Sequence, residues 1–181
     1  KFAKGAVVSP CSDSVDAQLA KMERKVMAGA DYFQTQAVYE PEKFIKFMEK
    51  ASQFGKPVQL GIVIPKSAGM AKFMNKNVAG IHVPDDMIEE LARDKEKTKA
   101  GITGVEIAAR IIKECKPYCQ GVHIMALGWE SKVPDLLKLA EIYKRLFFEL
   151  CKRTGTFYNK ERTCPFCNIV LKKCEKYTDQ L

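Results

Sequence analysis

The stretch GADYFQTQAVYEP, Gly29 to Pro41, reads as a helix end, a buried strand and the start of a second helix. Gly29 stands where a left-handed C-terminal cap is expected, and Pro41 where a first-turn proline is tolerated. The β-branched and aromatic residues between them form a run too short for a helix and too apolar for a loop. Strand side chains alternate, so Tyr32, Gln34, Gln36 and Val38 share one face and Phe33, Thr35, Ala37 and Tyr39 the other. Two amides on one face of a buried strand need partners, since an unsatisfied buried amide costs about 1–3 kcal/mol. Gln34 and Gln36 therefore either bond to neighbouring backbone and water or contact a ligand at the strand end.

Working outward toward the N-terminus, Val15, Leu19, Met22 and Val26 recur at helical spacing, with Lys21, Glu23, Arg24 and Lys25 on the wet side. Before that helix Ala6 to Ser9 reads as a short strand ending at Pro10, and Ser12 or Asp13 as the helix cap. Toward the C-terminus, Phe44, Phe47, Met48, Ala51 and Phe54 form the stripe of a second helix ended by Gly55 to Pro57. Val58 to Ile64 is a third strand, and Gly61 within it predicts close approach of a backbone or ligand. Ser67 caps a helix carrying Met70, Ala71, Phe73 and Met74; Met70, Phe73 and Met74 could wall a flat ring, but an ordinary core stripe is the preferred reading. A fourth helix opens at the acidic Asp85 and Asp86. Arg93 to Lys99 reads as a solvated turn, and Thr103 with Glu106 as a capping box for a helix burying Val105, Ile107, Ile111 and Ile112. Gly121 to Leu127 is the fourth strand, followed after Gly128 and Trp129 by a long apolar helix expected from about Pro134 to Arg153.

Composition narrows the class. The 181 residues are 46% hydrophobic, enough for one domain with a real core. No apolar run approaches the ~20 residues of a membrane span, and no signal-peptide pattern is present. The expectation is a soluble, cytoplasmic protein without membrane contact. Seven cysteines, an odd number at irregular spacing, fit reduced thiols. The net charge is +8, half of it in residues 151–181, where seven Lys and Arg face three Asp and Glu. The body is only mildly basic and interleaves no aromatics with a basic stripe, so no nucleic-acid partner is expected. The chain begins at Lys1 and reads as a piece of something longer.

Strands alternating with helices specify a parallel sheet, and near-continuous apolar strands specify one with covered faces. No glycine-rich phosphate loop follows the first strand, as a doubly wound nucleotide fold would have. Special residues instead gather after strand C-termini: Ser9 and Pro10, Gln36, Pro65 to Ser67, and Gly128 to Glu130. That is where a TIM barrel builds its site, but four strand-helix units are half of eight, and such barrels take about 250 residues. The fold expected is α/β, the C-terminal half of a TIM (β/α)8 barrel over residues 1–153, followed by a short basic, cysteine-containing tail over residues 154–181. Half a barrel leaves two unpaired edges, so an oligomer or a completing barrel half is expected as partner.

Three blocks carry a resemblance: AQLAKMERKVMAGADYFQTQAVYEPEKF, IPKSAGMAKFMNKNVAGIHVPDDMIEEL and GVEIAARIIKECKPYCQGVHIMALGWE. Through them residues 5 to about 145 resemble the second half of methylenetetrahydrofolate reductase, a flavin-dependent TIM-barrel enzyme of one-carbon metabolism. The resemblance implies an oxidoreductase that passes a hydride from NAD(P)H or another donor, through FAD or FMN, to methylenetetrahydrofolate. The product would be methyltetrahydrofolate. It places the family's folate-contacting glutamine on Gln36, where an amide can donate and accept along a pterin edge at once. It places a lysine near the flavin's phosphate side on Lys25, which composition alone reads as a solvated helix charge. Ser9, Gln18 and Trp129 stand where family members carry an aromatic, an acidic and a basic residue, departures that point to the branch common in anaerobes. The family's catalytic glutamate belongs to the first barrel half, outside this chain. His82 and His123 both read as hydrogen-bonded core residues.

In the tail, Cys164 and Cys167 form a CPFC knuckle, with Cys174 beyond. Two thiolates at that spacing can bind zinc, though a structural site wants four ligands, the fourth from Cys151 or a partner. A redox pair and inert thiols are the other readings. Beside the reductase stand two alternatives, a non-catalytic assembly or metal-binding subunit acting through this tail, and another pterin-using barrel such as a methyltransferase.

Overall fold

The computed structural model describes residues 2–142. Four strands, β1 (Gly5–Val8), β2 (Tyr32–Ala37), β3 (Val58–Val63) and β4 (Gly121–Met125), form one sheet in the order β1-β2-β3-β4, every pair parallel. Sequential order distinguishes this winding from a doubly wound sheet, whose strand order reverses at a switch point. It is the winding of a partial (β/α) barrel.

The helices are α1 (Val15–Met27), α2 (Pro41–Ala51), α3 (Ala68–Asn77), α4 (Asp85–Arg93), α5 (Lys95–Lys99), α6 (Ile102–Cys115) and α7 (Val133–Leu139). Phe33, Leu60 and Ile62 of the sheet and Phe44, Phe47, Ile107, Ile111 and Ile112 of α2 and α6 are all buried to within 1%. Each such side chain contributes about 1.5–3 kcal/mol by leaving water. Along β2 burial alternates as expected: Phe33, Thr35 and Ala37 are buried while Tyr32, Gln34 and Gln36 are half-buried on the opposite face. Gly29, at φ 92°, follows α1 in the left-handed conformation, and Pro41 opens α2.

Between β2 and β3 the register shifts: Gln34 pairs with Gln59, but Ala37 with Gly61. Three steps along β2 thus oppose two along β3, which is a bulge. At the bulge Gly61 N donates to Thr35 Oγ1 (2.8 Å), the Thr35 hydroxyl donates to Gln36 O (2.7 Å), and Val38 N donates to Gly61 O (3.0 Å). A Cβ at Gly61 would collide with the carbonyls of Thr35 and Gln36. The close approach expected at Gly61 is therefore that of the neighbouring strand's own backbone.

Several expectations are corrected. Ser14, not Ser12 or Asp13, caps α1, because Ser14 is the extended residue whose hydroxyl accepts from Ala17 N (3.3 Å). Arg93 to Lys99 is not a solvated turn: Asp94 caps the short α5, and Thr98 is buried with its hydroxyl donating to Leu91 O (3.0 Å) and sharing a hydrogen bond with the Thr103 hydroxyl (3.2 Å). Thr103 and Glu106 consequently form no capping box. The left-handed Gly101 precedes α6, Thr103 turns inward to Thr98, and Glu106 pairs with Lys97 at 2.7 Å. Phe73 is 61% exposed and lies off the core stripe. The expected long helix stops at Leu139, where Ala140 caps it and Glu141 takes φ 57°. The rest of that segment lies outside the described residues. None of the described helices is long and apolar enough to cross a membrane.

Candidate functional site

The face of the sheet opposite the buried one carries the polar side chains. Register places Val7, Gln34, Gln59 and Gly121 in one row across the four strands, with Gly61 and His123 paired in the row above. Gln34 Nε2 donates to Gln59 Oε1 at 3.1 Å, so this amide is satisfied by its cross-strand neighbour. Gln36, two residues nearer the strand's C-terminus, is half-buried, and its side chain makes no hydrogen bond among the described residues. Of the two amides flagged in the sequence, one is structural and one is available. His123 is half-buried on this face rather than hydrogen-bonded in the core. The core reading fails because β4 is half-buried along its whole length and is an edge strand among the described residues.

Lys25 projects from α1 toward β1, where its Nζ donates to Val7 O at 2.5 Å. The carbonyl belongs to an edge strand, so Lys25 satisfies backbone that no strand pairs among the described residues. It remains an exposed ammonium at one margin of the sheet.

Beyond the strand C-termini the structure brings together two clusters whose members the sequence names only separately, if at all. The first surrounds Glu40, the residue before Pro41. Its Oε1 pairs with Lys43 Nζ (2.9 Å) and faces His82 Nδ1 (3.5 Å), while Oε2 is buried and accepts no hydrogen bond from the described residues. The hydrogen bond to Glu40 raises the Lys43 pKa. His82 is 56% exposed in its side chain, so it too lies outside the core. It is held there by Asn75, whose amide brackets Val83 through Nδ2 to Val83 O (2.9 Å) and Val83 N to Oδ1 (2.7 Å). Cys11 lies against the same cluster. Burial, with the Glu40 charge adding to it, pushes its thiol up to about 11, so it is neutral at physiological pH.

The second cluster joins the ends of β3 and β4. Lys66 Nζ donates to Leu127 O and stands 5.3 Å from the centroid of the Trp129 ring. Leu127 has φ 51°, an uncommon left-handed conformation for a branched residue, and is 57% exposed. In the sequence Lys66 stands among the residues gathered after a strand C-terminus, between Pro65 and the cap Ser67, and nothing in the spacing pairs it with Trp129. Among the described residues no three His, Cys, Asp or Glu side chains are grouped to hold a metal; Cys164, Cys167 and Cys174 lie outside them.

The methylenetetrahydrofolate reductase family model matches residues 5–141. The chain belongs to the methylenetetrahydrofolate reductase family. Methylenetetrahydrofolate reductase 2 of Schizosaccharomyces pombe is 33% identical over 125 residues, covering 63% of this chain and 19% of that protein. A solved structure of an uncharacterized protein from Clostridium thermocellum, described as binding two copies of 5-methyl-5,6,7,8-tetrahydrofolic acid, superposes with a TM-score of 0.54. It is 18% identical and covers 80% of this chain and 54% of that one, a likeness of fold. The chain thus spans about half of the solved relative and a fifth of the yeast reductase. All four strands and the described site residues fall inside the family match.

Proposed function

We propose that this chain supplies the C-terminal half of a barrel that reduces methylenetetrahydrofolate to methyltetrahydrofolate with a bound flavin, and that Gln36 recognises the pterin ring. The observation that carries the reading is the contrast between two neighbouring amides. Gln34 is spent on Gln59, whereas Gln36 lies on the same polar face, at the strand end where barrel sites are built, with no protein partner among the described residues. An amide there offers one donor pair and one acceptor to a heterocycle edge.

Lys25 fits the phosphate end of a flavin. Its ammonium is exposed and uses one of three donors on Val7 O, which leaves the others for an anion. The flavin, FAD or FMN, supplies the hydride when bound. The chain's own residues orient the pterin through Gln36 and attract the cofactor's charge through Lys25. The catalytic acid and the remaining flavin contacts fall to the completing half. Among the described residues β1 and β4 each leave one edge unpaired, which favours that partner, because closure alone pairs such backbone groups.

The test is Gln36→Ala in full-length protein, measuring methyltetrahydrofolate affinity and flavin content together. Loss of a buried partner costs about 1–3 kcal/mol, equivalent to roughly 5- to 150-fold weaker folate binding. Flavin content stays at the wild-type level. Unchanged folate affinity refutes the assignment, and joint loss of flavin and folate shows Gln36 to be structural.

A further inference from the structure

We infer that His82 and Glu40 form a proton-operated latch, which holds the connection between α3 and α4 against the ends of β1 and β2 when the imidazole is charged. The connection, residues 78–84, belongs to the excursion between β3 and β4, yet it reaches back to the other two strands. Gly80, left-handed at φ 79°, passes so close to the end of β1 that an added Cβ would lie 3.5 Å from Ser9 Cβ. Two residues on, His82 faces Glu40, which follows β2 and precedes α2. The rest of the connection is anchored without charge. Val83 is fully buried and Asn75 brackets its backbone with two hydrogen bonds, while Val78 and Ile81 pack against the core. The contact of His82 with Glu40 is therefore the attachment that responds to a proton.

The carboxylate has capacity for a second cation. Lys43 Nζ approaches Glu40 Oε1 at 2.9 Å, whereas His82 Nδ1 stands 3.5 Å from the same oxygen, beyond a good hydrogen bond. Oε2 is buried and accepts no hydrogen bond from the described residues. A carboxylate accepts at both oxygens, so one lysine leaves it under-used, and His82 is the facing side chain that can become a further charged donor. The other ionisable groups around the latch are Cys11 and Asp13 from the β1–α1 connection, which bear on Lys43, and Asp85 and Asp86 at the start of α4. Of these side-chain types histidine is the one that changes charge between about pH 5 and 8. A histidine that gains a carboxylate partner on protonation holds its proton more tightly in the latched arrangement. Latching is thus favoured below the histidine range and is lost as pH rises through it. With the imidazole 56% exposed and the carboxylate 18%, solvent screens the pair, and the latching equilibrium shifts by about twofold to fivefold.

Two backbone amides report the latch in the full-length protein. Ile81 N donates to Val78 O (3.3 Å) and Val83 N to Asn75 Oδ1 (2.7 Å). Their hydrogen exchange, followed by NMR and corrected for the chemical exchange rate at each pH, is slower by about twofold to fivefold near pH 5.5 than near pH 8. The Gly61 amide, buried at the β2–β3 bulge, is the control and keeps the same protection at both. His82→Gln, whose amide takes no proton, exchanges at the wild-type high-pH rate throughout, with the pair of Lys43 and Glu40 left in place. Wild-type exchange at Ile81 and Val83 that does not change with pH overturns the inference, a measurement that needs no variant to fold. So does a pH dependence that persists in His82→Gln, or one that Gly61 shares in equal measure, since that reports the stability of the whole sheet and not the latch.

Discussion

Gly61→Ala tests the bulge that shapes the candidate site. The added Cβ would lie 2.8 Å from Gln36 O and closer still to Thr35 O, where ordinary contact begins at 3.4 Å. Both obstacles are backbone atoms of a paired strand, so no side chain can swing aside. Overpacking of this kind costs about 1–3 kcal/mol. Relief requires β2 and β3 to part, which loses the bonds from Gly61 N to Thr35 Oγ1 and from Val38 N to Gly61 O. These are worth about 1 kcal/mol each. Against this gross loss of about 3–5 kcal/mol stands the lower unfolded-state entropy of alanine, about 0.5–1 kcal/mol. The net loss of roughly 2–4 kcal/mol is a large part of a typical stability of 5–15 kcal/mol. In a chain of this length it lowers Tm by about 4–16 °C. Gly121→Ala is the control in the same sheet, since its Cβ would meet only the flexible Gln59 Cγ at 3.4 Å. Thermal unfolding followed by far-UV circular dichroism reads both. If Gly61→Ala melts within a degree or two of Gly121→Ala, the bulge is not the rigid element described here.

Other sites give independent outcomes. Gly69→Ala, within α3 where the new Cβ meets only Ser67 Oγ at 3.7 Å, raises stability by about 0.5–1 kcal/mol in denaturant unfolding; a loss would show that α3 is constrained in a way the contacts do not reveal. Thr98→Val leaves Leu91 O and the Thr103 hydroxyl without their partner and costs about 1–3 kcal/mol, whereas a solvated turn at this position would lose almost nothing. Cys11 holds its proton more tightly folded than unfolded, its thiol being raised from 9.0 to about 11. Its contribution is full below pH 9 and is lost as pH rises toward 11, so the stability of wild type falls more steeply across that window than that of Cys11→Val. Parallel pH profiles for the two would remove the burial account.

The elements of this fold were legible because they rest on local chemistry. Gly29 and Pro41 bracket β2 through backbone preferences that need no neighbours, and the buried stripes of α2 and α6 follow from period alone. The resemblance of three blocks of sequence reached the family. What sequence could not resolve depended on which groups meet across distance. Ser12, Asp13 and Ser14 are all competent caps, and only the chain's path from β1 selects Ser14. The charges from Arg93 to Lys99 hide Thr98, whose burial exists only because α4 and α6 close over it. His82 and His123 carry no period that tells core from margin; their exposure follows from a loop pinned by Asn75 and from β4 lying at a sheet edge. Gln34 and Gln36 look equivalent in sequence, being two apart on one face. Tertiary pairing with Gln59 satisfies the first and leaves the second free, because hydrogen bonding between side chains is decided by strand register, and register belongs to the sheet as a whole.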